Sequence, residues 1–155
     1  MPAPFRADRQ MLFPTSAESL WAVLLDTSRY REWWPWIEVF DAGPEPFAAG
    51  SRAEFVIRSP LGYRLRCHTV VVDTEPGHLV TVAVGGDLSG PASLAVHPVV
   101  DGCRARISWS LSLERRWLRN AARVARPAMG WAHDRVVDRG LAQFRERALT
   151  GRGRG

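Results

Sequence analysis

From Ile37 to Glu114 the chain alternates apolar and polar residues with a period of two. Turn signals cut the pattern at Ala42 to Pro46, Ser59 to Gly62, Pro76-Gly77, Gly85 to Gly90 and Asp101-Gly102. Successive side chains of a strand point to opposite faces, so this stretch predicts six half-buried strands. Over Ala53 to Ser59 the apolar set is Ala53, Phe55 and Ile57, against Arg52, Glu54 and Arg58. Over Tyr63 to Thr74, Leu65, Cys67, Thr69 and Val71 oppose Arg64, Arg66 and His68. Ala105 to Glu114 sets Ile107, Trp109, Leu111 and Leu113 against Arg106, Ser108, Ser110 and Ser112. One face is buried and the other wet, and the links are too short for crossovers, so the strands form an antiparallel meander.

The flanks complete the order of elements. Arg6 to Phe13 alternate loosely as a first strand that Pro14 ends. Thr15 stands three residues before Glu18, a capping box, and Ala17, Leu20, Trp21, Leu24 and Leu25 follow at helical spacing. A second helical turn, Arg29 to Trp33, must stop near Pro35, because the residue before proline is pushed out of the helical region; Trp33, Trp34 and Trp36 fall in that exit. Arg116 to Leu149 reads as the long helix, interrupted at Pro127, and Thr150 to Gly155 as a disordered Gly-Arg tail. The expectation is an α+β fold in one domain over residues 1–149. A seven-stranded curved antiparallel sheet wraps around a long C-terminal helix, with two short helices between strands 1 and 2. One helix cannot fill the concave face of seven twisted strands, so an apolar hollow between the two is expected.

Composition narrows the functional classes. The chain has 155 residues, 46% of them hydrophobic and 24% charged, as in an ordinary globular protein, and no window approaches the ~18 apolar residues of a membrane span. Residues 1–8 lack an apolar stretch behind basic residues, so a cytoplasmic location is expected. There is no lysine; the formal charge of +5 is carried by arginine, with a net −4 over residues 1–103 and +9 over residues 104–155. The basic end is suited to an anionic partner. Two cysteines, Cys67 and Cys103, make no disulfide framework, and four scattered histidines offer no ligand spacing, so neither metal nor cofactor is expected. The sequence contains no Gly-x-Ser-x-Gly elbow, phosphate loop or Gly-x-Gly-x-x-Gly fingerprint.

Four local patterns carry a resemblance: Pro-x-x-x-x-Leu-Trp at Pro14 to Trp21, Tyr-x-x-Trp-Trp-Pro at Tyr30 to Pro35, Gly-Asp-Leu-x-Gly at Gly86 to Gly90 and Trp-x-His-Asp-x-Val at Trp131 to Val136. With them, Phe5 to about Leu149 resembles the START-like or Bet v 1-like superfamily, and within it the bacterial polyketide cyclase/dehydrase and lipid-transport group. The resemblance implies a helix-grip fold in which the helix closes a hydrophobic ligand cavity. Aromatase/cyclases of that group are similar at Trp34-Pro35 and use an arginine on the strand leading to a Glu-Pro turn. Here that strand, Cys67 to Pro76, has no arginine in its second half.

The expected cavity wall is Trp34, Phe55, Cys67, Thr69, Trp109, Met129, His133 and Val137. On a helical wheel His133 lies within the arc of Met129, Val136, Val137, Gly140, Leu141 and Phe144, and so faces the sheet. It is either a core histidine satisfied by a carbonyl or water, or the polar group that orients a ligand; in an enzyme it is the candidate general base. Asp134, about 100° away, is expected to pair with an arginine. Trp33, Trp34 and Trp36 read as a lid over the cavity mouth, or for any one of them as ordinary packing of the two short helices against the sheet edge, and Cys67 as inert core. Arg115, Arg119, Arg123 and Arg126 recur along one face of an amphipathic stretch suited to an anionic membrane surface or an acidic carrier protein, or else simply solvated. The outer arginines of the strands come without a stacking platform, which argues against specific nucleic-acid binding. The leading expectation is a binder of a small hydrophobic ligand such as a polyketide, lipid or isoprenoid-like compound. Its rivals are a polyketide cyclase or dehydratase acting on a poly-β-ketone, and an interaction protein that uses the basic helix.

Overall fold

The computed structural model describes residues 5–114, 116, 120 and 126–150. The first strand, β1 (Phe5–Phe13), is followed by α1 (Ala17–Leu25), a 3-10 turn at Thr27–Arg29 and α2 (Tyr30–Trp33). Six strands follow: β2 (Ile37–Ala42), β3 (Arg52–Arg58), β4 (Arg64–Glu75), β5 (Leu79–Gly86), β6 (Leu88–Val99) and β7 (Gly102–Leu113). The long helix α3 spans Arg126–Thr150. Pro127 stands in its first turn, where a missing N–H breaks no helical bond. Thr150, expected in the tail, is the last residue of this helix.

All neighbouring strands run antiparallel in the order β1-β7-β6-β5-β4-β3-β2, so the chain meanders from β2 to β7 and β1 closes on the end of the meander. The strand pairs keep the registers that alternation requires: Phe55 lies opposite Cys67 in the β3–β4 hairpin, and Ile107 opposite Arg9 where β1 joins β7. Bulges between Ile37 and Val39 and between Val71 and Asp73 add local twist and bend the sheet around its inward face. Gly90, at φ 147°, lets β6 cross close to Ser110 on β7; a Cβ there would run into the Ser110 carbonyl oxygen.

One local expectation is corrected. The N-cap of α1 is Ser16, whose hydroxyl accepts from the Ser19 amide at 3.1 Å, not Thr15. Adjacent Ser and Thr present the same chemistry, and the cap falls to whichever has extended backbone as the chain turns; Ser16 has it, at φ −66°, ψ 154°.

Two buried clusters occupy the space between sheet and helix. The first joins Phe13, Leu20, Trp21, Tyr30, Trp33, Val96, Cys103 and Phe144, and the second joins Phe5, Leu65, Cys67, Val84, Leu88, Leu111, Leu113 and Met129. No helix among the described residues is long and apolar enough to cross a membrane.

Candidate functional site: an apolar cavity under the long helix

Between the two clusters lies a cavity of about 330 Å³. Its floor is the inward face of the sheet: Arg9, Met11 and Phe13 of β1, Ala105, Ile107 and Trp109 of β7, Leu94 of β6, and Ile37, Phe40, Phe55 and Ile57 of β2 and β3. The roof is the inner face of α3, with Val136, Val137, Gly140, Leu141 and Phe144. One end is closed by Leu20 and Leu24 of α1 with Tyr30, Trp34 and Trp36.

The hydroxyl and indole groups of this wall are already engaged. Tyr30 donates its hydroxyl to the Leu24 carbonyl at 2.5 Å, and burial pushes its ionisation far above the ordinary phenol range. Trp34 Nε1 donates to the Gly140 carbonyl at 2.8 Å and Trp36 Nε1 to Gln143 Oε1 at 3.2 Å. Gly140 makes room for this: a Cβ there would stand 3.3 Å from the Trp36 ring. Trp109 Nε1 donates to His133 Nε2 at 2.9 Å.

His133 is therefore held from three sides. Nε2 accepts from Trp109, Nδ1 faces Asp134 Oδ1 at 3.3 Å, and the ring packs on Phe5 at 5.1 Å between centroids. An acceptor at Nε2 fixes the proton on Nδ1. Burial holds its pKa below the ordinary histidine value, opposed by Asp134. The polar partner is thus an indole, where a carbonyl or water was expected. Asp134 meets both His133 and an arginine, with Arg9 Nη2 at 3.8 Å.

Of the residues expected in the wall, Trp34, Phe55, Trp109 and Val137 are brought together there. Cys67 and Met129 lie in the second packed cluster, and His133 meets the Trp109 indole without lining the cavity. Thr69 is half-buried on β4 in register between Ala53 and Val84, away from the cavity. Strand and helix periodicity assigns each of these four to the inward side correctly but not to a level along it. Burial pushes the Cys67 thiol up to about 11, as befits inert core. Trp33, expected with its neighbours in a lid, is only 1% exposed and packs on Phe144, Tyr30 and Trp34. Arg115, Arg119 and Arg123 lie outside the described residues, as does the side chain of Arg126. Sequence reasoning missed Arg9, although the alternation Phe5, Ala7, Arg9, Met11, Phe13 places it inward.

Residues 4–148 match the family model for polyketide cyclase / dehydrase and lipid transport. The chain belongs to that family. Solved structures agree on the fold. TTHA0849 from Thermus thermophilus superposes with a TM-score of 0.72 at 16% identity, covering 95% of this chain and 97% of its own. A START superfamily protein from Mycobacterium smegmatis gives 0.72 at 13% identity over 94% and 98% of the two chains. Protein Ms6760 from the same organism gives 0.66 at 12% identity over 96% and 92%. No protein among those curated for function matches this sequence. The family member is thus a START-like sheet curled around its C-terminal helix.

Proposed function

We propose that this chain binds a small hydrophobic molecule, such as a polyketide, lipid or isoprenoid-like compound, in the cavity between sheet and helix, and holds it without transforming it. The observation that carries this reading is the state of the wall's polar groups. The hydroxyl of Tyr30 and the indoles of Trp34, Trp36 and Trp109 each donate to a protein acceptor, and the rest of the wall apart from Arg9 is hydrocarbon, the Met11 thioether or glycine. Such a wall recognises shape and apolar area. A cyclase acting on a poly-β-ketone needs a proton acceptor facing the chain. His133, the imidazole beside the wall, has Nε2 engaged by Trp109, which favours binding over turnover. Docking of an acidic carrier protein or an anionic membrane through Arg115, Arg119, Arg123 and Arg126 is a separate matter on which the binding reading does not depend.

Native mass spectrometry of the purified chain, followed by solvent extraction, tests the reading. A stoichiometric apolar compound is the expected result. An empty protein whose tryptophan fluorescence ignores a panel of lipids and aromatic polyketides overturns it.

A further inference from the structure

Among the described residues the cavity wall carries one charged side chain, Arg9. It stands in the inward row of β1 between Ala7 and Met11, opposite Ile107 of β7. We propose that Arg9 receives the head of the ligand and that the ligand is a hydrophobic carboxylic acid. This rests on the cavity-binding reading above.

The hydrogen bonding of Arg9 carries the argument. Nε reaches Asp138 Oδ1 at 3.3 Å and Nη2 reaches Asp134 Oδ1 at 3.8 Å, while Nη1 lies 3.5 Å from the Asp8 carbonyl oxygen. Both aspartates are largely exposed, at 60% and 67% of their side chains. Arg106, one strand away, shows what a committed pair looks like here: its Nε and Nη2 grip the two oxygens of Asp8 at 2.8 and 2.6 Å. Strong arginine–carboxylate pairs are of this two-pronged kind, at about 2.7–2.9 Å. Arg9 has none; its fork is shared between two acids on α3, each at one point and at long range. Exposed pairs of that geometry add little and exchange readily.

The guanidinium sits at the rim, where the stem of Arg9 borders the cavity and its head meets Asp134 and Asp138 on α3. A ligand carboxylate at this rim gains the planar two-point bond that neither aspartate makes. Arg135 and Arg139 line the same surface groove as the two aspartates, so the rim is not net negative. A polar head placed deeper would be buried without a partner, because the other donors of the wall are taken. The hydrocarbon part is limited by about 330 Å³, near the lower end of ligand cavities.

Titration calorimetry of the full chain with decanoic acid and decan-1-ol, at pH 7.5, tests the assignment. The wild type is expected to favour the acid by about tenfold or more, the range of a hydrogen-bonded charge. Arg9→Met brings the acid-to-alcohol ratio near one, with Arg9→Gln as second variant and near-UV circular dichroism as the check of folding. Asp134→Asn with Asp138→Asn frees the fork and raises acid affinity. A purely structural Arg9 would change stability and leave the ratio where it was. Equal affinities in the wild type, or a preference that survives in both Arg9 variants, overturn the head-group site alone. Failure of both probes to bind removes the cavity reading, and this proposal with it.

Discussion

Replacing Ala105 by leucine separates a true hollow from a packed core by the sign of its effect. Ala105 stands on β7 with Met11 of β1 and Val96 of β6 as its register partners, and its side chain borders the cavity. Leucine adds three carbons. Placed into empty apolar space they contribute about 0.8 kcal/mol each, roughly 2.4 kcal/mol together. Loss of rotamer freedom takes back about 0.5–1 kcal/mol. The expected net gain is about 1.5–2 kcal/mol, or a rise in Tm of about 3–8 °C for a chain of this size. If side chains already filled this space, the same change would overpack the core and destabilise it by about 1–3 kcal/mol. The two outcomes thus differ by more than 2 kcal/mol and in direction, well beyond the error of urea unfolding curves. The variant should also bind hydrophobic probes more weakly, since the added carbons occupy the ligand's volume. A loss of stability with unchanged probe affinity would refute the cavity and the argument built on it.

Three further outcomes follow from the hydrogen bonds and burial of single groups. Trp34→Phe leaves the Gly140 carbonyl without its 2.8 Å donor and should lower unfolding free energy by about 1–2 kcal/mol, against which a loss under about 0.5 kcal/mol would count. In an NMR titration His133 should show a pKa below 6.5, because burial disfavours its charged form more than Asp134 restores it; a value at or above 6.5 contradicts the buried Trp109 contact. The sign for stability follows: the unfolded chain takes up this proton first, so the contribution is fully present above about pH 6.5 and is lost as pH falls through the lowered folded value. With its thiol at about 11, Cys67 has on the order of one thiolate in a thousand at pH 8, so native protein should resist Ellman's reagent while denatured protein reacts at both cysteines.

Period-two alternation made the sheet legible because each turn signal fell where a hairpin was needed, and the face of Phe55, Cys67 and Trp109 followed from parity. What parity cannot supply is depth. Cys67 and Phe55 are register partners on neighbouring strands, and Phe55 packs against the cluster that holds Cys67 and Met129, yet of the two only Phe55 also borders the hollow. That division depends on where the helix crosses the sheet, a tertiary fact with no local sequence code. His133 shows the same limit from the helix side. The wheel turned it toward the sheet, but only the crossing point decides that it meets the Trp109 indole and does not line the cavity. Arg9 was missed for a different reason: a charged residue in a loosely alternating strand reads as surface unless the row is followed through Phe5, Ala7, Met11 and Phe13.

A roof over empty space needs support from its edges, and α3 has it. Near one end Met129 is buried in the second cluster, and fifteen residues on, about 22 Å along the axis, Phe144 is buried in the first. Between them Val136, Val137, Gly140 and Leu141 face the cavity, so much of this stretch rests on no packed floor. The flanks compensate. On one side Trp34 and Trp36 donate to Gly140 and Gln143, and Arg147 donates to the Trp33 carbonyl at 3.2 Å; on the other Arg9 reaches Asp138. The first side is fixed by the hydrogen bonds of two indoles and one guanidinium and by aromatic packing, the second by the long and exposed pairs of Arg9 together with the packing of His133 on Phe5 and its bond to Trp109. If a ligand enters under the helix, the weaker stretch is the part of the β1 seam at Arg9, where exposed ion pairs join strand to helix, and Arg9 is the one charged side chain among the described residues that line the cavity.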